Sequence, residues 1–452
     1  MSETRRTLIF VGVALVLAVL AVITAPKRIT PNAFVDQGEA FFPDFEDPNA
    51  ARTLEVIDFD EETGSAVPFK VTFKDGRWTI PSHYDHPADG EDRLARTAAG
   101  VIGIKKDDFR SDNVSDHEAC GVIDPLDQTA TSAGGRGQRV TIKGDNDVIL
   151  ADFIVGREIP DREGFRFVRV PGQKRVYAAR MDIDISTKFR DWIESDLLLV
   201  DKDQIDQIVW KDYSINERTR QLDERDVLIL DKDGDVWVAN RMKEDEQVDN
   251  VKVGQVLTAL DELAIEGVRL KPAGLSASLE TSPDSLTINT EDMVSLQNRG
   301  YFFTRDGRLV SNEGELQVRT TEAVTYTLRF GEVVYGSGLA VSAGAGASDA
   351  RGPGENRYLF ITTQFDPKRF PEPPKPENTF FLNRPDSLWT DDDRADKAIY
   401  DAYQAWKAKQ SERKRTSDEL NARFAKWYYV ISAESFDKLR QKRGDLIKAK
   451  ES

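Results

Sequence analysis

Hydrophobic positions along the chain fall into three patterns, and each predicts a different element. The first is an uninterrupted run: residues 7–25 carry no charge, and twelve of residues 8–23 are Leu, Ile, Val or Phe. As a helix this run spans roughly 28 Å, close to the thickness of a bilayer core. At about -0.45 kcal/mol for each large apolar residue, insertion is favourable by roughly 5 kcal/mol. We expect an uncleaved single-pass transmembrane helix over 7–25, with 1–6 as a cytoplasmic tail. A cleaved signal peptide would have to be cut after Ala25, where Pro26 fits a scissile extended strand poorly. Arg5 and Arg6 before the run nearly balance Lys27 and Arg28 after it. A short tail with two arginines is easily retained, so the bulk of the chain is expected outside the cytoplasm, tethered to the inner cell membrane.

The second pattern is period-two alternation broken by turn residues, and it occurs twice. Val71 to Trp78 and Leu228 to Trp237 each read as a strand, a Lys-Asp-Gly turn and a second strand carrying a tryptophan. The two tryptophans lie 159 residues apart. The third pattern, helical spacing, recurs at that same offset: residues 92–109 carry Leu94, Ala98, Val101 and Ile102, and residues 251–268 carry Val253, Leu257, Leu260 and Ala264. Each stripe is expected to pack on its own sheet. Strand pairs ending in Gly156 and Gly331 extend the likeness at an offset of 175, so the second copy holds extra chain. Residues 285–311, with a hairpin turn at Arg305-Asp306-Gly307, account for the difference. Final strands are expected at 164–170 and 357–363.

The predicted fold class is α+β: an N-terminal transmembrane helix, then two repeated antiparallel-sheet-plus-helix units, then a C-terminal helical tail. The boundaries are a linker over 26–51, a first repeat over 52–200, a second repeat with its insertion over 201–370, a Pro-rich connector over 371–390 and C-terminal helices over 391–452. Four prolines set the linker and four between Pro371 and Pro376 stiffen the connector. Residues 336–354, rich in Gly, Ala and Ser, read as a loop between strands of the second copy. Asp391 opens a long helix whose acidic start complements the helix dipole.

Composition narrows the function. The 62 Lys and Arg against 79 Asp and Glu give a net charge of -17, which repels phosphate backbones, so nucleic acid is not an expected partner. The single cysteine, Cys120, excludes an intramolecular disulfide and any multi-thiolate metal site. His83, His86 and Asp89, with the distant His117, are the one gathering of imidazoles, but a Pro-flanked loop does not fix two rings on one face. Asp231, Asp233 and Asp235 are reminiscent of a calcium loop that lacks its remaining ligands, and a hairpin turn explains them. Gly336-Ser337-Gly338 lacks the strand-to-helix setting of a nucleophile elbow, and Gly344-Ala-Gly346 lacks a dinucleotide fingerprint. We therefore assign no catalytic, cofactor-binding or metal residues, expect no cofactor and do not expect an enzyme. Trp427, Tyr428 and Tyr429 are expected to dock on the chain's own second domain.

Asp75-Gly-Arg-Trp78-Thr-Ile-Pro, Ser311-Asn-Glu-Gly-Glu315, Tyr326 to Gly331 and Arg423 to Ser432 resemble the bacterial family catalogued as domain of unknown function 4340. The resemblance implies a membrane-tethered protein with a repeated α+β unit, often encoded beside gliding-motility-type ABC export systems, and it brings no catalytic residues. The expected function is thus that of an accessory or scaffold protein of the cell envelope, held at the membrane by its N-terminal helix and partnered by an envelope protein such as an ABC transporter subunit. A ligand-binding or hydrolytic ectodomain is the alternative.

Overall fold

The computed structural model describes residues 11–19, 36–61, 64–160, 162–183, 185–216, 219, 221–281, 286–336, 338–343 and 355–450. Residues 11–19 are helical, and the rest of the expected 7–25 span and the 1–6 tail lie outside the described residues. Among the described residues no helix is long and apolar enough to cross a membrane. The chain divides into two compact units: unit 1 is Met1–Pro68 with Leu94–Ile185, and unit 2 is Phe69–Arg93 with Ser186–Ser452. These limits differ from the contiguous blocks 52–200 and 201–370, because residues 69–93 and 186–200 group with the second unit.

In unit 1 the strand order is Ser65–Lys74 (through its first residues), Thr53–Asp60, Gln138–Lys143, Ile149–Glu158, Phe165–Arg169, Val176–Arg180 and Asp108–Ser111. Leu54, Val56, Val140, Ile142 and Phe153 alternate onto one buried face. Residues 36–51 are not a free linker. Phe41 and Phe45 are buried, Phe41 meets Tyr177 edge to face at 5.3 Å, and Asp36 pairs with Tyr177, Lys106 and Arg175. Aromatic rings among the prolines supply the burial that a solvated tether lacks.

In unit 2 the order is Val236–Ala239, Gln221–Asp233, Ile205–Asn216, Glu315–Thr320, Val324–Val334, Asn356–Phe365, Trp427–Ile431 and Gly267–Leu270. From the second strand onward this is the order of unit 1, including the last-placed edge strand that follows the helix in sequence. The helices are Glu91–Ile102 and Asn250–Asp261, shorter than the expected 92–109 and 251–268. In both copies the lost turns become the edge strand, Asp108–Ser111 or Gly267–Leu270. Val253, Val256 and Leu260 form the buried stripe of the second helix, Val256 taking the place expected of Leu257.

The repeated glycines have a shared physical reason. A Cβ on Gly156 would lie 2.4 Å from the Cys120 carbonyl oxygen, and one on Gly331 would lie 2.1 Å from that of Arg299. At both places a second backbone crosses the strand too closely for any side chain. The hairpin turns differ by one residue. Lys74 pairs with Arg77 around Asp75 and Gly76, both at positive φ, whereas Asp233 pairs with Val236 around Gly234 and Asp235, with positive φ at Gly234.

The C-terminal segment is not wholly helical. A 35-residue helix, Asp391–Ala425, begins in a Thr390–Asp393 capping box and leads into the buried strand Trp427–Ile431, which occupies the sheet position of Val176–Arg180 in unit 1. The strand Ile447–Ala449 pairs with Glu246–Val248. Asn421 fixes the long helix to the sheet: its amide accepts from the Thr363 N–H at 2.8 Å and donates to the Thr363 carbonyl at 2.7 Å. The Pro-rich connector runs against this helix, with Trp406 donating to the Phe370 carbonyl and Tyr403 to Glu372.

Candidate functional site

The sheet of unit 2 has two chemically distinct faces. Ile208, Trp210, Leu316, Val318, Tyr326, Leu328 and Ile361 are buried on one. The alternate positions form paired rows: Lys211, Glu315 and Arg329 in one, and Val209, Gln317, Thr327 and Thr362 in the next. Period-two alternation puts these side chains on the outer face.

The insertion of the second copy turns part of that face into a recess. Helices Ala273–Thr281 and Thr290–Gln297 and the hairpin of Tyr301–Phe303 with Leu309–Ser311 build a small second core. In it Leu275, Leu279, Leu296, Tyr301 and Leu309 pack on Phe360 and Tyr428. The helix Thr290–Gln297 was not anticipated in the hairpin-like reading of 285–311. Its signal is the Asn289–Asp292 capping box. Between the insertion and the sheet lies a recess of about 400 Å³, with the polar rows as floor and Leu286, Phe303, Leu309, Leu222 and Val227 as apolar walls. The size falls within the roughly 300–1,000 Å³ typical of small-molecule sites.

Glu315 organises the floor. It is buried and accepts from Lys211 Nζ at 2.7 Å, Gln317 Nε2 at 3.2 Å and Tyr213 Oη at 3.2 Å, with Arg329 Nε at 3.3 Å. Burial alone would raise its carboxyl, but Arg329 and Lys211, with the hydrogen bonds from Lys211 and Tyr213, outweigh it and hold the group below the usual carboxylate range. Burial and the Glu315 charge push the Tyr213 hydroxyl upward, so it stays protonated and donates. Arg329 also reaches the Leu309 carbonyl and the Thr362 hydroxyl, both at 3.0 Å, tying insertion to floor. At the rim, Asp212 is paired with Arg225 and Arg440, Asp226 with Arg241 and Arg443, and Asp306 with Arg308.

The residues singled out in the sequence lie elsewhere. His83 and His86 belong to unit 2, where His83 stacks on Phe189 at 4.3 Å and His86 meets Phe189 edge to face at 5.2 Å and Trp427 at a tilt at 4.9 Å. Burial first, then the nearby charges, lowers both imidazoles from 6.5 to about 4. His83 Nε2 is buried without a hydrogen-bond partner among the described residues. The Asp89 backbone amide donates to the Trp192 carbonyl. His117 belongs to unit 1, where it hydrogen-bonds the Lys174 carbonyl at 2.8 Å. No group of three or more His, Cys, Asp or Glu suited to a metal ion occurs among the described residues. Asp231 accepts from its cross-strand partner Gln207 at 2.6 Å and lies 3.6 Å from Arg319, which is one strand further along the sheet. Cys120 is buried, and burial raises its thiol pKa. Trp427, Tyr428 and Tyr429 are buried in the sheet of unit 2. Ser337 and residues 344–354 lie outside the described residues.

A family model described as a domain of unknown function (DUF4340) matches residues 78–278. Lys211 and Tyr213 fall inside that stretch, whereas Glu315, Gln317, Thr327 and Arg329 fall beyond it. No curated protein matches the chain, and no solved structure matches it.

Proposed function

The chain belongs, through residues 78–278, to the DUF4340 family, and we propose a function from its geometry: unit 2 is a binding module whose outer sheet face takes a small polar ligand. The observation that carries this reading is the recess, since an insertion present in the second copy walls off a polar floor built from adjacent strands. Binding is favoured over catalysis because Glu315, the buried carboxylate of the floor, is surrounded by four donors and held ionised, which suits an acceptor better than a proton carrier. A thermal-shift screen of small polar metabolites tests this. The reading requires a compound that raises the melting temperature of the wild type and not that of Thr362→Val; a screen in which no stabilisation depends on Thr362 removes its basis.

We further propose that the binding module acts outside the cytoplasm at the inner cell membrane, tethered by residues 7–25, as an accessory or scaffold to an envelope protein such as an ABC transporter subunit. The support is the charge-free run at 7–25 and the expectation attached to the family resemblance. Pull-down from mild detergent should recover a membrane protein in stoichiometric amount, and recovery of the bare chain in several detergents counts against the partner.

A further inference from the structure

We infer that the recess of unit 2 takes an uncharged polyhydroxylated ligand, a neutral mono- or disaccharide, an inference that rests on reading unit 2 as a binding module. The first argument is charge balance. Among the lining side chains, Asp212 and Asp226 are neutralised from outside by Arg225 and Arg440 and by Arg241 and Arg443. What remains is Glu224, Asp306 and Glu315 against Lys211, Arg308 and Arg329, three of each sign. The central charges are already paired at 2.7 and 3.3 Å. An anionic ligand would compete with Glu315 for Lys211 and Arg329, and a cationic one would meet those same two cations. Either would leave a half-buried charge without its partner, a costly arrangement.

The second argument is the two-sided chemistry of the recess. Each sugar hydroxyl donates one hydrogen bond and accepts others, so its site must offer both roles. The floor does: the Thr327 hydroxyl and the Gln317 carbonyl oxygen have no partner within the described protein, and Lys211 has N–H groups beyond the one directed at Glu315. The facing wall is apolar, with Phe303 flanked by Leu286 and Leu309. A pyranose has the same asymmetry, hydroxyls around its edge and C–H groups on its faces, and an aromatic ring is the usual match for such an apolar face. Fixed rows of alternating strand residues supply this pattern without movement of a loop.

The test is saturation-transfer NMR on the full chain with D-glucose, maltose, D-glucuronate and D-glucosamine as separate probes, on the wild type, Thr327→Val and Phe303→Leu. Thr327→Val keeps the shape of the side chain and removes one hydroxyl, so an unchanged melting temperature identifies it as folded. The inference requires saturation of glucose or maltose protons, with affinity about fivefold weaker in Thr327→Val, the equivalent of one neutral hydrogen bond. It also requires loss of the C–H face signals in Phe303→Leu. If only glucuronate or glucosamine binds in a Thr327-dependent way, the ligand class is overturned and the binding module stands. If no neutral sugar gives a Thr327-dependent signal, the inference is overturned, and the metabolite screen with Thr362→Val then decides the module separately.

Discussion

Acid should weaken this protein in a pH window to which the buried imidazole of His83 contributes a separable share. His83 is about 1% exposed, its Nδ1 lies 2.9 Å from the Ser82 hydroxyl, and its Nε2 has no partner among the described residues. Burial, then His86 and Arg269, lowers its pKa from 6.5 to about 4. Between those values the unfolded chain binds a proton that the folded chain does not, so stability is full above pH 6.5 and is lost as pH falls towards 4. The depression corresponds to about 3 kcal/mol. His86, lowered to about 4 as well but less completely enclosed, adds to the loss in the same window. The perturbation is His83→Phe, which keeps a ring against Phe189 and removes the orphaned nitrogen. Urea unfolding from pH 7.5 to 4 should show wild type and variant within about 1 kcal/mol of each other at neutral pH. Towards pH 4 the wild type should lose about 3 kcal/mol more than the variant. Glu315, Asp212 and Asp226, whose carboxyls are held low, titrate alike in both proteins and cancel from the difference. Parallel pH curves for the two proteins would refute the assignment of the window to His83.

Two further outcomes follow from packing. Gly156→Ala and Gly331→Ala should each cost about 1–3 kcal/mol, because the added methyl meets a crossing backbone carbonyl in each copy; melting temperatures check this, and a neutral effect at either site contradicts the close approach. Asn421→Leu should cost about 3 kcal/mol by orphaning the Thr363 N–H and carbonyl, and should speed proteolysis within 391–425, a rate that limited digestion reads directly.

Much of the architecture was legible because local chemistry dictates it. Asp75-Gly76 supplies the positive φ of its hairpin, and the stripe of Leu94, Ala98 and Val101 is the buried face of its helix. The strand Trp427–Ile431 was harder to place. In unit 1 the corresponding strand follows its neighbour after a short turn, whereas here the connector and the 35-residue helix intervene. An apolar piece that far along the chain carries no local mark of the sheet it enters. The recess was hidden for a related reason. Polar residues at 315, 317 and 319, alternating with Leu316 and Val318, announce an exposed face, but the meeting of Lys211, Glu315 and Arg329 exists only once strand order and register are known. His83 and His86 do gather, but against Phe189 and Trp427, where burial favours neutral rings, a setting that their Pro-flanked loop does not announce.

The binding role of the outer face of unit 2 can be decided by threonine-methyl NMR of the full chain during titration with maltose and, in turn, with the small polar metabolites of the thermal-shift screen. Signals of Thr327 and Thr362, on the floor of the recess, should move progressively to saturation, while that of Thr141, whose hydroxyl is held by Asp152 in unit 1, should stay in place. Stationary Thr327 and Thr362 signals, or equal movement at Thr141, would contradict the assignment of this face as the binding surface.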